Sequence, residues 1–334
     1  VKNVNKKRRN CQNIIIDYIV GDFFMKKCLV VYNPNSGKYN KEVTLPKIEK
    51  ILNEYDYSVI IEKTKYNGDA TSIVANIDKC DLVVSIGGDG TFNEVMTGNF
   101  MRKDRIVLCH LPSGTTNDVG AMWGYGKNIL NNLKLALNGK VKRIDICTIN
   151  DKPFVYSAGF GKFMNIPYET PRELKKRIGH LAYIREGARD FFRKVKLYDI
   201  TYEVDNEKYR GLFSFALITN ANRVAGINNF YKDIKLDDNK FEVLLCNITK
   251  LKDIVKTLYF FALYDASKIP GFYFYQTDNI KIKFNSPLKK PLCIDGESFD
   301  DMSGSYNIKI DHDVYVLMPS KNVNNLFVND KKEL

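Results

Sequence analysis

Residues 83–95 read VVSIGGDGTFNEV, an apolar run entering three glycines set around one aspartate, with polar Asn93 and Glu94 opening a helical pattern. Glycine permits positive φ and lets the backbone come close to a ligand. Several N–H groups gathered at a strand-to-helix turn make an anion site, reinforced by the helix N-terminus. An aspartate inside such a nest does not itself favour an anion. Asp89 makes chemical sense when a metal ion or a hydroxyl arrives together with a phosphate. Two familiar phosphate loops do not fit. The Walker A pattern fails at Tyr32–Tyr39, which lacks the first glycine and the closing Ser or Thr, and the dinucleotide fingerprint would need glycine where Asn93 stands.

Working outward from this loop, CLVVYN (28–33), YSVIIEKT (57–64), DLVVSIG (81–87) and RIVLCHLP (105–112) read as buried strands. Helix-like apolar spacing occupies 40–54, 68–79 and 91–101. Such alternation predicts a parallel sheet covered by helices. Each strand runs into polar, glycine-containing sequence at its C-terminal end, the edge at which open α/β sheets bind ligands. After about residue 140 the character changes. VKRIDICTIN, KPFVYSAGFG, LYDITYEV, GLFSFALITNA, KFEVLLCNI, NIKIKFN, PLCIDGES and YNIKIDHDVYVLMP read as strands separated by turns, with helices only at about 169–195 and 249–264. The expected architecture is an N-terminal α/β domain with a parallel sheet (25–140) followed by a β-sandwich-like domain (141–319). Residues 1–24 are read as an extension and 320–334 as a tail packing back on the first domain.

The 334-residue chain holds 51 Lys and Arg against 39 Asp and Glu, a formal charge of +12, which points to an anionic partner or a lysine-rich solvated surface. The cysteines at 11, 28, 80, 109, 147, 246 and 293 are scattered without a CxxC pair. That argues against a zinc site or a disulfide framework and fits a reducing, cytoplasmic setting. Histidines 110, 180 and 312 do not cluster, and no apolar run approaches the ~20 residues of a membrane span.

LPSGTTNDVG (111–120) is a second glycine turn. Its Asn117 or Asp118 can cap a helix, and Asp118 can instead supply, beside Asp89, a second carboxylate for Mg²⁺, which prefers oxygen ligands. In CIDGES (293–298), Asp295-Gly296 reads as a tight hairpin turn, with Glu297 projecting from it.

NPNSGK (33–38), GDA (68–70) after Thr64, GGDGTFNEV, LPSGTTND, YSAGFG (156–161) and IDGES (294–298) occur in the order seen in the diacylglycerol kinase catalytic-domain family, which this chain resembles from about Lys26 to Pro319. The family resembles NAD kinases through GGDGT, while LPSGTTND and IDGES follow the lipid-kinase pattern. The resemblance implies ATP- and Mg²⁺-dependent phosphorylation of a lipid hydroxyl, with nucleotide held between the two domains. It implies ATP contacts at Asn33, Pro34, Asn35, Ser36, Gly37, Thr64, Gly88, Asp89, Gly90, Thr91, Phe92, Asn93, Glu94 and Thr115. Asp89 and Asp118 would organise Mg²⁺ and phosphate, with Glu297 as catalytic base. A structural Mg²⁺ is implied at the turn Lys235-Leu236-Asp237-Asp238-Asn239-Lys240, through Asp238 and the carbonyls of Lys235 and Lys240. Asn239 stands where the family has Gly, and Asn tolerates left-handed geometry better than most residues. Lys38, beside the first loop, is a further candidate for phosphate.

PRELKKRIGHLAYIREGARDFFRKVK (171–196) carries nine Lys or Arg against three acidic residues. Leu174, Ile178, Leu181, Ile184, Ala188 and Phe191 form an apolar stripe that suits either the sandwich core or an anionic membrane surface. The aromatic run at 259–276 suits core or an acyl-chain pocket. The expected partners are therefore a lipid substrate and, peripherally, an anionic membrane such as the inner membrane face. No nucleic acid is expected, since no zinc finger or RNP motif is present, and a homodimer is left open. The alternatives are a NAD kinase-like small-molecule kinase and a catalytically silent lipid-binding protein. Steering by the basic segment predicts that binding to anionic vesicles weakens between low salt and physiological ionic strength, where the Debye length is ~8 Å. Sedimentation with vesicles at graded salt measures this, and salt-independent binding would reduce the basic face to solvated surface.

Overall fold

The computed structural model describes residues 25–37, 41–162, 164, 195–224, 227–228, 231, 234–250, 271–320 and 323–328. The expectations for residues 1–24, Lys38, the stripe from Leu174 to Phe191 and the helix over 249–264 lie almost wholly outside these.

The first part of the chain alternates strands and helices: β1 (Lys26–Tyr32), α1 (Lys41–Asn53), β2 (Tyr57–Lys63), α2 (Asp69–Asn76), β3 (Leu82–Gly87), α3 (Asp89–Phe100), β4 (Val107–Pro112), α4 (Asp118–Met122) and α5 (Ile129–Leu137). β1 to β4 are mutually parallel in the order β2-β1-β3-β4. A parallel strand covered on both faces reads as a continuous apolar run, and LVVSIG of β3 is buried along its whole length. The sequence reading places a helix after Asn117 or Asp118, where α4 begins, without giving it a range, and has none at α5. α5 is nonetheless signalled locally, because the Asn128 side chain accepts from the N–H groups of Leu130 (3.0 Å) and Asn131 (3.1 Å) as an N-cap.

The second part is strand-rich: β5 (Lys140–Ile149), β6 (Lys152–Phe154), β7 (Ser157–Gly161), β8 (Tyr198–Val204), β9 (Glu207–Phe213), β10 (Phe215–Thr219), β11 (Arg223–Val224), β12 (Ile227–Asn228), β13 (Phe241–Cys246), β14 (Phe272–Thr277), β15 (Asn279–Phe284), β16 (Leu292–Ile294), β17 (Glu297–Phe299) and β18 (Ser305–Met318). Among the described residues, an antiparallel sheet runs β14-β13-β10-β7-β16-β17. The parallel sheet does not stop at β4. It continues through β18, β15, β8 and β9, and β5 joins it beside β18. The two sheets face each other across a core that includes Ile149, Phe160, Ile200, Phe241, Val243 and Ile282. The sequence pattern says which strands are covered twice. NIKIKF of β15 alternates buried and exposed, whereas FEVLLC of β13 is buried throughout. The outer face of β13, through Leu244, belongs to the same core as the parallel sheet. Val323, Leu326 and Phe327 join that core too, and the Leu326 carbonyl accepts from Leu236 N at 2.7 Å.

The stretch KPFVYSAGFG is not one strand. It breaks at Val155–Tyr156 because its backbone turns to a carboxylate. The Asp295 side chain accepts from the N–H groups of Val155 (2.6 Å), Tyr156 (2.9 Å) and Ser157 (2.9 Å), and from the Asn93 amide (2.7 Å). Asp295 itself sits in a two-residue turn with Gly296, both at positive φ (47° and 83°), as the Asp-Gly pair led one to expect for a hairpin between β16 and β17. Burial pushes the Asp295 carboxyl above its usual range against the pull of these donors. Truncating it strands three backbone N–H groups, each costing roughly 1–3 kcal/mol when left unpaired. Asp295→Ala should therefore lose more than about 3 kcal/mol in a denaturant titration; a loss under about 1 kcal/mol would mean that water takes over its role.

Candidate active site

Four loops leave the C-terminal ends of the parallel strands and line one side of an open cleft of about 2250 Å³. They are cross-tied by short polar contacts. After β1, Asn33 folds the chain back by accepting from Asn35 N (2.9 Å), and its amide donates to Thr91 Oγ1 (3.3 Å). Ser36 Oγ lies 3.0 Å from Ser113 Oγ, joining the first loop to the fourth. Thr64 is buried beside them, its N–H bonded to the Tyr32 carbonyl at 3.0 Å.

The second tie is backbone against backbone. A Cβ built at Gly114 would fall 2.6 Å from Gly88 Cα, so LPSGTTND and GGDGT touch where only glycine fits. Asn117, at φ 53°, locks this contact, its side chain accepting from Gly114 N (2.7 Å) and donating to Gly114 O (3.0 Å). α3 starts at Asp89, so its first N–H groups have no intrahelical acceptor, and Gly88, Gly90 and Thr91 line the cleft.

The carboxylates divide into braces and one projecting group. Asp89 accepts from Asp118 N (2.9 Å) and Val119 N (3.2 Å), so it holds the start of α4 against the start of α3. Burial first, then the charge of Asp118, lift its carboxyl to about 7 even though both N–H donors pull the other way. Asp118 is almost fully buried and pairs with Arg223 Nε at 2.9 Å. Glu94 accepts from Ala70 N at 3.2 Å, and burial raises its pKa. Glu297, by contrast, is exposed in the cleft. A Cβ placed on Gly90 would stand 3.8 Å from its Oε1, which puts the carboxylate directly over the phosphate-loop candidate.

Most of the residues singled out in the sequence meet at this cleft: Asn33, Pro34, Asn35, Ser36, Gly37, Thr64, Gly88, Gly90, Thr91, Asn93, Glu94, Thr115 and Glu297 all line it. Phe92 differs. Its ring has no exposed surface and stacks into the core against His110 (centroids 4.7 Å) and Trp123 (5.4 Å), so only its backbone faces the loop. Asn93 is occupied structurally, donating to Asp295 and, at 3.4 Å, to the Pro153 carbonyl. Sequence reading missed Arg223 and the clamp formed by Asp295. The clamp had a signal in IDGES; the arginine, alone in a two-residue strand, had none.

The turn at 235–240 lies apart from these residues. Asn239 takes the left-handed conformation (φ 63°), and its N–H donates to Asp145 Oδ2 at 2.6 Å. Lys240 N donates to Asp238 Oδ1 (3.1 Å), and burial raises the Asp238 pKa, with Asp145 and Asp237 adding to it. Asp145, which the sequence reading did not select, is thus the buried carboxylate around which the turn closes.

The family profile of the diacylglycerol kinase catalytic domain matches residues 27–149. A diacylglycerol kinase of Staphylococcus saprophyticus is 28% identical over 89% of this chain and 97% of its own length. One from Bacillus subtilis is 28% identical over 90% and 99%. In fold, the crystal structure of a diacylglycerol kinase from Bacillus anthracis superposes with a TM-score of 0.72 at 24% identity, covering 88% of this chain and 98% of the other. The profile match spans the four cross-tied loops, and the similarity to the diacylglycerol kinases runs on through the Asp295 turn, so residues 27–149 match the diacylglycerol kinase catalytic domain and the rest of the chain resembles those enzymes in sequence and fold.

Proposed function

We propose that the protein transfers the γ-phosphoryl group of ATP to the hydroxyl of a lipid alcohol, diacylglycerol or a related one, with Glu297 as general base. The observation that carries this reading is the placement of the exposed Glu297 carboxylate over Gly90 of the glycine loop. An alcohol is a weak nucleophile. A carboxylate within reach accepts its proton as the oxygen bonds to the γ-phosphorus, and the bond to the β,γ-bridging oxygen breaks to release ADP. The N–H groups at the start of α3 and in the loops after β1 and β4 receive the phosphate oxygens.

The all-oxygen pair Asp89 and Asp118 suits a nucleotide-borne Mg²⁺ that keeps several waters. It does not suit a dedicated protein cage, because N–H groups and Arg223 already occupy these oxygens. Magnesium, when bound, supplies positive charge to the phosphate oxygens. A second, structural Mg²⁺ at the turn would take Asp238 and the Lys235 and Lys240 carbonyls, with no three-carboxylate cluster behind it among the described residues: Asp145, Asp237 and Asp238 accept from the N–H groups of Asn239, Val328 and Lys240. Among the described residues no helix is long and apolar enough to cross a membrane. The lipid is then met peripherally, with the charge of +12 favouring an anionic surface.

Glu297→Gln keeps the shape of the side chain and removes the base. Lipid phosphorylation with labelled ATP should fall ~10²- to 10⁴-fold while nucleotide affinity stays near that of the parent. Turnover near the parent rate would remove Glu297 from the mechanism.

Asp89 makes a prediction in pH. Its folded pKa, about 7, lies above the usual value of 3.8, so its contribution to stability is full at acid pH and is lost as pH rises through about 7. Without nucleotide or divalent cation, the thermal midpoint of the parent should drop relative to Asp89→Asn between pH 5 and pH 8. Parallel curves for the two proteins would contradict it.

A further inference from the structure

The cleft wall opposite the glycine loops carries a cation that no motif selects. Lys152 opens β6, lies exposed, and lines the cleft together with Glu297, Ser298 and Asp300. Its Nζ is held over the ring of Phe299, 5.2 Å from the centroid, a cation–π distance. Phe299 and Glu297 are two residues apart on β17, so they share a face, roughly 6.6 Å apart along the strand. The aromatic ring therefore parks the ammonium on the same side as the candidate base. The backbone beneath is fixed as well. The next residue, Pro153, gives its carbonyl to the Asn93 amide, and the same amide holds Asp295. Asn93 stands in the first turns of α3, so Lys152 and Glu297 are both registered to the helix that begins in the glycine loop.

Other lysines line the cleft, Lys47 on α1, Lys65 in the loop after β2 and Lys127 in the loop before α5, whereas the ammonium of Lys152 rests on the ring of Phe299, on the strand that carries Glu297. The phosphoryl group that is transferred must lie next to Glu297, because the acceptor oxygen lies between them. We propose that Lys152 is the cation that contacts the γ-phosphoryl oxygens of ATP during transfer, an inference that rests on the phosphotransfer reading of this cleft. Lys152 moves no proton. It donates N–H bonds to oxygens whose charge must be held while the phosphorus passes from the bridging oxygen of ADP to the acceptor oxygen. The Phe299 ring stabilises the ammonium without neutralising it, so its charge stays available to phosphate. A carboxylate partner would have quenched it.

Binding separates this role from a structural one, since ADP lacks the γ-phosphate. By calorimetry in Mg²⁺ buffer without lipid, Lys152→Met should bind ADP like the parent and ATP about tenfold more weakly, a loss in keeping with a charge-assisted hydrogen bond. Lys152→Arg should restore most of the preference for ATP. In the presence of a diacylglycerol dispersion, kcat of Lys152→Met should fall roughly 10- to 100-fold with little change in the KM for lipid. An unaltered ATP-to-ADP preference, or an equal loss for both nucleotides, would overturn the assignment. If the parent protein phosphorylates no lipid, the proposed function fails, yet the comparison of ATP with ADP still decides the role of Lys152.

Discussion

Four N–H groups converge on the carboxylate of Asp295, and they come from two places that must be aligned for the cleft to exist. Three belong to the link from β6 to the first residue of β7, and the fourth belongs to Asn93 on α3. Burying a carboxylate is costly unless such donors surround it. The same bonds that offset its desolvation therefore dictate where the β16–β17 hairpin lies relative to the glycine loop. Glu297 follows two residues later and inherits that position. The exposed group over Gly90 is placed by a buried one that does not enter the cleft chemistry itself.

The glycine loops rely on the opposite device, the lack of side chains. Gly88 and Gly114 meet at the backbone, which lets Asp89 reach across to the first N–H groups of α4. Asp118 is then close enough to raise the cost of ionising Asp89, and Arg223 enters from the second half of the chain to pair with Asp118. Two carboxylates and one guanidinium thus share a low-dielectric setting behind the glycine loops.

Much of this was written in the sequence, for identifiable reasons. Strand and helix limits in the first half follow from the apolar period and from glycine punctuation: CLVVYN, DLVVSIG and the helix over 40–54 correspond to β1, β3 and α1. The Asp295-Gly296 turn and the left-handed Asn239 were legible because backbone chemistry is local. The destination of a side chain is not. Phe92 sits among loop residues in sequence, but helical geometry turns its ring into the core. KPFVYSAGFG looks like one strand, since its apolar pattern is unbroken; what divides it is a carboxylate some 140 residues away. Arg223 and Asp145 act through partners fixed only by tertiary structure, and no spacing rule announces them.

The 14-residue strand β18 has a bearing on how the chain is made. It lies next to β4, in parallel, and it is the strand through which the parallel sheet joins the sandwich. β4 ends at Pro112 and β18 begins at Ser305, so on a ribosome the edge of β4 waits while nearly two hundred residues are added. Pairings this distant in sequence close slowly, and an open strand edge invites the wrong partner in the meantime. The nascent first half is thus an unfinished sheet until late in synthesis, and its solubility during that interval depends on what shelters one edge.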